Sequence, residues 1–344
     1  MNLNAIKSLI SKLFPKNIII ILLGVLICFI LVFVLFKKFT TQTPPPLPQT
    51  KINQDQKQQI EFESLSFSKD PELPSSIDIP EIENDNLDLN EAQKTATSLG
   101  FLQKPKASGG NEGKLTFTWS GQDFFYFYPT ERKVSYFTNL PKNSPFLNTG
   151  KQPTIESAKG AAQKKLENLG LWDEKFKFLK AFRMSGLGGE VYDLGSDENT
   201  NVVEVWYGLQ LKNLPVYLAN NNDPWIKVRV ARDGKVVSFE YKKLPQLNGG
   251  SKNYQIIDKN QILKKLSEGA GTLSTFDVRT GAPKTIPQKL VVQMKIDSTQ
   301  LSYFYSEETK DFLPPIIVST GTITTKDGFS GSVVVYLPAV NQEN

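Results

Sequence analysis

Histidine is missing from the 344-residue sequence, and only one cysteine is present, at position 28. Ser-His-Asp and Cys-His nucleophilic sites and most catalytic zinc sites require imidazole, so the absence of histidine excludes these classes. Because Cys28 falls within an apolar stretch, the polar remainder of the chain has neither a disulfide nor a thiol nucleophile. These absences predict a protein that is not an enzyme and holds no cofactor or metal. They also fit a bacterial surface better than a eukaryotic secretory route.

Positive charge is also lacking outside the N-terminal region, although the whole sequence carries a formal charge of +5. Residues 1–38 contain five lysines and no acid, so the rest of the chain holds 35 basic and 35 acidic side chains. Nucleic-acid binding normally requires a strong local surplus of Lys and Arg. The composition therefore predicts no nucleic-acid partner.

One uncharged apolar run, Ile18 to Phe36, has the length of a membrane-spanning helix. A helix of this length rises about 28 Å, close to the ~30 Å hydrocarbon core of a bilayer. A cleaved signal peptide is the alternative, but the run is longer than a signal h-region, and no small-x-small cleavage site follows it. Lysines are more numerous before the run than after it, which places the N-terminus in the cytoplasm. We therefore predict a single-pass protein of the cell membrane, with its C-terminal part extracytoplasmic.

The predicted membrane region is followed by a segment rich in proline, including positions 44, 45, 46 and 48. Prolines in this density favour extended polyproline II structure, at about 3.1 Å per residue. We predict residues 1–16 as a cytoplasmic or interfacial segment, 17–38 as the transmembrane helix and 39–76 as a Pro-rich stalk.

The remaining sequence shows a helix followed by alternating strands three times. We predict α+β units at residues 77–150, 151–250 and 251–344. Capping residues mark the helix starts, since a side-chain oxygen there accepts a hydrogen bond from the first turn. These residues are Asp88, Thr154 and Asp258. Asp-Gly pairs at 233–234 and 327–328 predict hairpin turns. The predicted fold class is α+β, with tandem helix-plus-antiparallel-sheet modules.

Aromatic residues are dense in the first unit, where 124–128 is a run of five. Successive strand residues point to opposite faces, so this run predicts aromatic side chains on both sides of a sheet. One side belongs to the core, and the other is covered by a neighbouring unit or forms a partner surface. The candidates for a partner surface are Trp119, Phe124, Tyr126, Tyr128, Trp206 and Trp225.

The second unit resembles a PepSY-type module. The resemblance lies in an Ala-rich helix ending in Leu-Gly and in the succession Val203-Glu204-Val205-Trp206-Tyr207, Asn213-Leu214-Pro215-Val216-Tyr217, Ile226-Lys227-Val228-Arg229-Val230 and Asp233-Gly234-Lys235-Val236-Val237. The end of the third unit is similar to the tail of YycH/YycI-like extracytoplasmic proteins. The resemblance implies a membrane-anchored regulatory protein whose partner is an envelope protein such as a sensor kinase or a peptidase.

Three functions stay open at the level of sequence. The first is a non-catalytic binding or regulatory protein of the bacterial envelope. The second is a module for cell-wall polysaccharide or peptidoglycan that stacks exposed aromatic rings, among them Trp119, Trp206 or Trp225, on sugars. The third is an enzyme that uses carboxylates alone, for which two acids must face each other across a cleft. A Ser-x-x-Lys pair at Ser66 and Lys69 lies in the polar stalk, where an acyl-transfer site is not expected.

Overall fold

The computed structural model describes residues 62–83, 88–109, 115–139, 145–184, 200–218, 224–244, 246–276, 283–285, 291–306, 312–328 and 330–340. The described residues contain helices α1 (Leu89–Ser98), α2 (Pro145–Asn148), α3 (Ile155–Asn168) and α4 (Lys259–Ser267). The strands are β1 (Ser64–Phe67), β2 (Ser76–Glu83), β3 (Lys106–Gly109), β4 (Leu115–Ser120), β5 (Phe124–Tyr128), β6 (Lys133–Phe137), β7 (Phe176–Met184), β8 (Val202–Leu211), β9 (Leu214–Leu218), β10 (Ile226–Ala231), β11 (Val236–Lys242), β12 (Gln246–Gln255), β13 (Thr272–Phe276), β14 (Pro283–Thr285), β15 (Val291–Tyr305), β16 (Pro315–Thr325) and β17 (Ser330–Pro338).

Thirteen of the described strands form one mixed sheet, in the order β14-β13-β17-β16-β15-β9-β8-β10-β11-β6-β5-β4-β3. Two further strands join it at the side, since β1 pairs with β15 and β7 pairs with β8. Strands β2 and β12 pair separately as an antiparallel ribbon. We call β3–β8, β10 and β11 the first half-sheet, and β1 and β13–β17 the second half-sheet.

Strand β9 joins the two half-sheets. The turn after β8 has positive φ at Lys212 (48°) and Asn213 (66°), and it returns the chain as β9 beside the end of β8. Further along, Val216–Leu218 pairs in parallel with Tyr303–Tyr305 of β15. The indole N–H of Trp225 donates to the Val216 carbonyl at 2.7 Å, so a buried side chain also fixes this junction.

Helices α1 and α3 cover one face of the first half-sheet, which we call its inner face. The contacts of α3 are with β7, β8, β10 and β11, and those of α1 are with β5. The predicted capping residues start the helices, and reciprocal capping boxes form at Thr154 and at Asp258. At Asp88 the side chain accepts from the Asn90 amide instead, while Glu91 forms an ion pair with Lys243 at 2.6 Å.

The hairpin turn predicted at Asp233-Gly234 is confirmed. Asp233 has φ +55° and Gly234 has φ +71°, as both central positions of a type I′ turn require. The Lys235 amide donates to the Arg232 carbonyl across the turn at 3.2 Å.

The prediction of tandem α+β modules is wrong, because the fold is mainly β and most of its strands belong to one sheet. Strand β6 of the first predicted unit pairs with β11 of the second, for example at Phe137 and Ser238. Strand β9 in turn pairs with β15 of the third unit. If each unit folded alone, its edge strands would be exposed. In the structure these strands pair with the neighbouring unit, which satisfies their backbone hydrogen bonds.

The predicted architecture also needs correction at its membrane-spanning part. Within the described residues, no helix is long and apolar enough to cross a membrane. The longest helix there, α3, has 14 residues and a length of about 21 Å. The segment Ile18 to Phe36 lies outside the described residues, so the transmembrane helix is withdrawn from the description of the fold.

Part of the predicted stalk belongs to the sheet. Strand β1 lies within residues 39–76 and pairs in parallel with β15, from Ser64 opposite Gln293 to Phe67 opposite Ile296. Residues 39–61 lie outside the described part of the chain.

Candidate functional site

Strand β5 divides its five aromatic side chains between the two faces of the first half-sheet. Phe125 and Phe127 point to the inner face and are fully buried. Phe124, Tyr126 and Tyr128 point to the opposite, outer face and are half-buried. On the outer face the ring centroids of Phe124 and Tyr126 are 6.3 Å apart, and so are those of Tyr126 and Tyr128. The three rings therefore form a continuous row along the strand.

A fourth ring from β6 widens this row. Phe137 lies directly opposite Phe124, and its ring meets Tyr126 edge to face at 6.1 Å. Phe137 remains 37% exposed. We call Phe124, Tyr126, Tyr128 and Phe137 the aromatic ladder.

Small hydroxyl side chains border the aromatic ladder on both sides. On β4, Thr118 lies opposite Tyr126, and Ser120 lies opposite Phe124. On β6, Ser135 is the other neighbour of Tyr126 and is only 3% exposed. Thr118 and Ser120 consequently leave hydrogen-bonding groups accessible beside the rings, whereas Ser135 is buried between the strands.

A lysine lies at one end of the ladder. Lys133 holds its ammonium nitrogen 4.4 Å from the centre of the Tyr128 ring and forms an ion pair with Glu131 at 3.0 Å. Burial alone would lower the pKa of Lys133, but the hydrogen bond and charge of Glu131 outweigh it and raise the pKa. Burial raises the pKa of the Tyr128 hydroxyl. Lys133 therefore stays protonated at neutral pH, with its charge balanced by the Glu131 carboxylate.

A second group of polar side chains lies on the same outer face, around Trp206 of β8. Glu204 has no exposed surface and accepts hydrogen bonds from the Trp206 indole N–H and from the Arg229 Nε, each at 2.6 Å. The ammonium groups of Lys180 and Lys227 lie 4.3 and 5.5 Å from the Trp206 ring. We call these five residues the Trp206 cluster.

The electrostatics of the Trp206 cluster follow from its burial. Desolvation lowers the pKa of Lys180, and the negative charge of Glu204 acts in the opposite direction. Both carboxylate oxygens of Glu204 already accept hydrogen bonds, so this acid serves a structural role.

Cross-strand register shows that the cluster and the ladder share one surface. Trp206 lies opposite Lys227, which lies opposite Glu240. Glu240 lies opposite Ser135, which lies opposite Tyr126. With strands about 4.8 Å apart, four steps place Trp206 and Tyr126 roughly 19 Å apart.

Of the predicted partner-surface residues, the structure brings three together and buries the three tryptophans. Phe124, Tyr126 and Tyr128 belong to the aromatic ladder. Trp119 is fully buried on the inner face, where its indole N–H donates to Gln93 of α1 at 3.1 Å. Trp225 is 1% exposed and its ring lies 5.5 Å from that of Tyr305. Trp206 faces outward but is 6% exposed beneath its lysines.

Phe137 and the cations Lys227 and Arg229 also lie on this surface, although they were not among the predicted residues. The position of Phe137 was predictable from the sequence, because alternation along the returning strand places it on the same face as the outward residues of β5. The positions of the two cations were not predictable, since they depend on the pairing of β10 with β8.

Within the described residues, neither the Ser66 and Lys69 pair nor a cluster of metal ligands forms a site. Ser66 lies exposed in a strand, and Lys69 forms an ion pair with Glu72 at 2.8 Å. The hydrogen bond and charge of Glu72 raise the pKa of Lys69, which is the opposite of what a catalytic base needs. Within the described residues there is no group of three or more Cys, Asp or Glu that is placed to hold a metal ion.

No protein-family model matches this sequence, and no curated protein matches it. Among solved structures, one similar chain is an uncharacterized protein from Eubacterium rectale ATCC 33656, with a TM-score of 0.47 and 11% sequence identity. That match covers 83% of this chain and 90% of the other. A likeness at this level carries no argument about function, and the PepSY-like or YycH/YycI-like resemblance stays a prediction.

Proposed function

We propose that this chain is a non-catalytic binding protein that recognises a partner protein through the outer face of its first half-sheet. The observation that carries the proposal is the aromatic ladder, four contiguous rings that stay partly exposed on one sheet face. Aromatic side chains bury much apolar area with few rotatable bonds, and for this reason they dominate the energetic centres of protein interfaces.

The surroundings of the ladder support a protein partner. Charged and hydroxyl side chains surround the rings, which is the usual arrangement of an apolar interface centre within a polar rim. The partner class implied by the sequence resemblance, an envelope protein such as a sensor kinase or peptidase, stays a prediction. The extracytoplasmic location of the domain stays a prediction as well.

A photo-cross-linking experiment tests the proposal in cells. A photoreactive phenylalanine analogue is placed at position 137, in the ladder, or at position 178, a strand residue outside it. The two side chains are matched controls, because Phe137 is 37% exposed and Phe178 is 41% exposed. We expect position 137 to cross-link one discrete protein that position 178 does not reach.

The affinity for that protein then measures the role of the ladder. Tyr126→Ala is expected to weaken binding at least tenfold, because Tyr126 contacts three other ladder rings. Phe178→Ala is expected to leave binding within about twofold. Identical cross-linking patterns at both positions, or equal affinities of the two alanine variants, would contradict the proposal.

A wall polysaccharide is the second candidate, supported by the hydroxyl groups of Thr118 and Ser120 beside the rings. Burial of the three tryptophans leaves the ladder as the stacking surface for this function. Co-sedimentation with purified cell wall separates the candidates. A polysaccharide ligand predicts pelleting of the wild-type protein and loss of pelleting in Tyr126→Ala, whereas a protein partner predicts no pelleting of either.

A further inference from the structure

Positive charge is concentrated on the outer face of the first half-sheet. The register places seven cationic side chains on this face: Lys106, Lys133, Lys177, Lys180, Lys227, Arg229 and Lys242. It places two carboxylates there, Glu204 and Glu240. Because basic and acidic residues are equal in number after residue 38, this surplus is a property of one surface and not of the chain.

The chain leaves part of this charge unneutralised. Glu204 is already paired with Arg229, and Glu131 with Lys133. For the five other cations that the register places on this face, it places one other carboxylate there, Glu240. A bound group with negative charge would complement this surplus.

A uniform polyanion fits the surface poorly. Glu240 lies in the middle of the face, between Lys227 and Ser135, where it would repel a continuous row of negative groups. The rings of the aromatic ladder also need apolar groups opposite them. The complementary surface is therefore mixed, with acidic groups toward the cations and apolar groups over the rings.

We propose that the partner binds this face with an acidic segment that also carries apolar side chains. The inference rests on the proposed function and specifies the chemistry of its partner. Lys227 and Tyr126 are three strand steps apart, or about 14 Å. An extended chain covers this distance in about four residues. The segment thus carries an acidic and an apolar residue about four positions apart.

Fluorescence polarisation with defined peptides tests the charge and the apolar part separately. The first probe is a labelled 12-residue peptide in which glutamate and leucine recur four positions apart among serines. The second replaces each glutamate by glutamine, and the third replaces each leucine by serine. Inorganic polyphosphate serves as a competitor of uniform charge. We expect the first probe to bind at least tenfold more tightly than either other peptide, and to weaken about tenfold between 50 and 300 mM salt.

Charge-changing variants locate the binding. Lys227→Glu is expected to weaken the first probe at least tenfold, and Lys227→Arg to retain binding within about threefold. Lys164→Glu makes the same charge change on α3, which covers the inner face, and should leave binding within about twofold. A thermal melt of each variant verifies folding, and Lys227→Gln replaces Lys227→Glu if the reversal unfolds the protein.

The outcomes separate this inference from the proposed function. Equal binding of the glutamate and glutamine peptides, with both lost in Tyr126→Ala, overturns the acidic partner and leaves the proposed function standing. Either of two results overturns a partner with both acidic and apolar groups and favours a uniform polyanion. In one, the leucine-free peptide binds as tightly as the first probe. In the other, polyphosphate competes with the first probe at the same concentration of negative charge. Binding of none of the probes also overturns the inference, whereas the proposed function is judged by the cross-link at position 137.

Discussion

The two half-sheets contribute to one hydrophobic core but differ on their surfaces. Side chains between β15 and β16 pair through neutral hydroxyls, with Ser298 2.7 Å from Thr320 and Thr299 3.0 Å from Ser319. The first half-sheet instead carries the charged Trp206 cluster and the aromatic ladder. In the second half-sheet, hydroxyls satisfy one another within the sheet. In the first, the ladder rings stay partly exposed and cations outnumber carboxylates on the same face, which is why recognition is assigned there.

The largest expected effect comes from breaking the buried ion pair of the first half-sheet. Arg229→Met removes the ion-pair partner of the Glu204 carboxylate, which has 0% exposure. We expect a loss of about 3 kcal/mol in the free energy of unfolding, measured by urea denaturation, because the buried charge loses its hydrogen-bonded cation.

The control for this prediction is the double variant Glu204→Gln with Arg229→Met, which removes both charges. It should recover more than half of the lost stability. An equal loss in the single and double variants would mean that the packing of Arg229, and not its charge, stabilises the fold.

A pair of glycine substitutions compares close packing in the two half-sheets. A Cβ at Gly321 of β16 would clash with backbone atoms of β15, with the Lys295 carbonyl oxygen nearest. At Gly208 of β8 the three atoms nearest to an added Cβ all belong to the Leu179 side chain, which is 54% exposed, and the closest is 2.9 Å away. We expect Gly321→Ala to lower the free energy of unfolding by about 3 kcal/mol, and Gly208→Ala by less than about 1 kcal/mol. Equal losses in urea denaturation would contradict this difference.

Alkaline pH is expected to destabilise both half-sheets through buried tyrosines. Burial raises the pKa of Tyr207 and of Tyr303 to about 12, and the charge of Asp78 adds to the effect at Tyr303. A raised folded-state pKa means that the stabilisation is complete below the unfolded-state pKa, about 10, and is lost as pH rises through 12.

The melting temperature should therefore fall steeply between pH 10 and 12. The decline should be shallower in Tyr207→Phe and in Tyr303→Phe, each measured against the wild type at the same pH. Identical pH slopes in the wild type and both variants would show that these hydroxyls do not govern alkaline unfolding.

The smallest effect is expected at the hydroxyl pairs of the second half-sheet. Thr299→Val keeps the shape of the side chain and removes one hydrogen bond of 3.0 Å to Ser319. The expected loss in the free energy of unfolding is below about 1 kcal/mol. A loss as large as that of Arg229→Met would remove the contrast between the half-sheets.

Local elements were predictable because the interactions that define them span only a few residues. The helix starts at Thr154 and Asp258 depend on a side chain bonding three positions ahead, and the Asp233-Gly234 turn depends on its own φ angles. The single sheet was not predictable in this way. Pairing of Val216 with Tyr303 joins residues far apart in sequence, and no local pattern encodes it.

The candidate site was partly predictable for the same reason. The alternation in 124–128 placed aromatics on both faces correctly. Trp119 was misassigned although Thr118 and Ser120 on either side of it are polar, a phase that points the tryptophan inward. The charged part of the surface depends on the register of β8, β10 and β11, which the sequence does not reveal.

Strand β15 has a consequence for how this protein is made. One of its edges receives β1 from residues 64–67 and β9 from residues 216–218, although β15 itself begins at residue 291. A ribosome releases both early segments long before β15 emerges, so both lack this strand partner during translation. Pairings this distant also slow folding. The newly synthesised chain should therefore engage chaperones until β15 has been released.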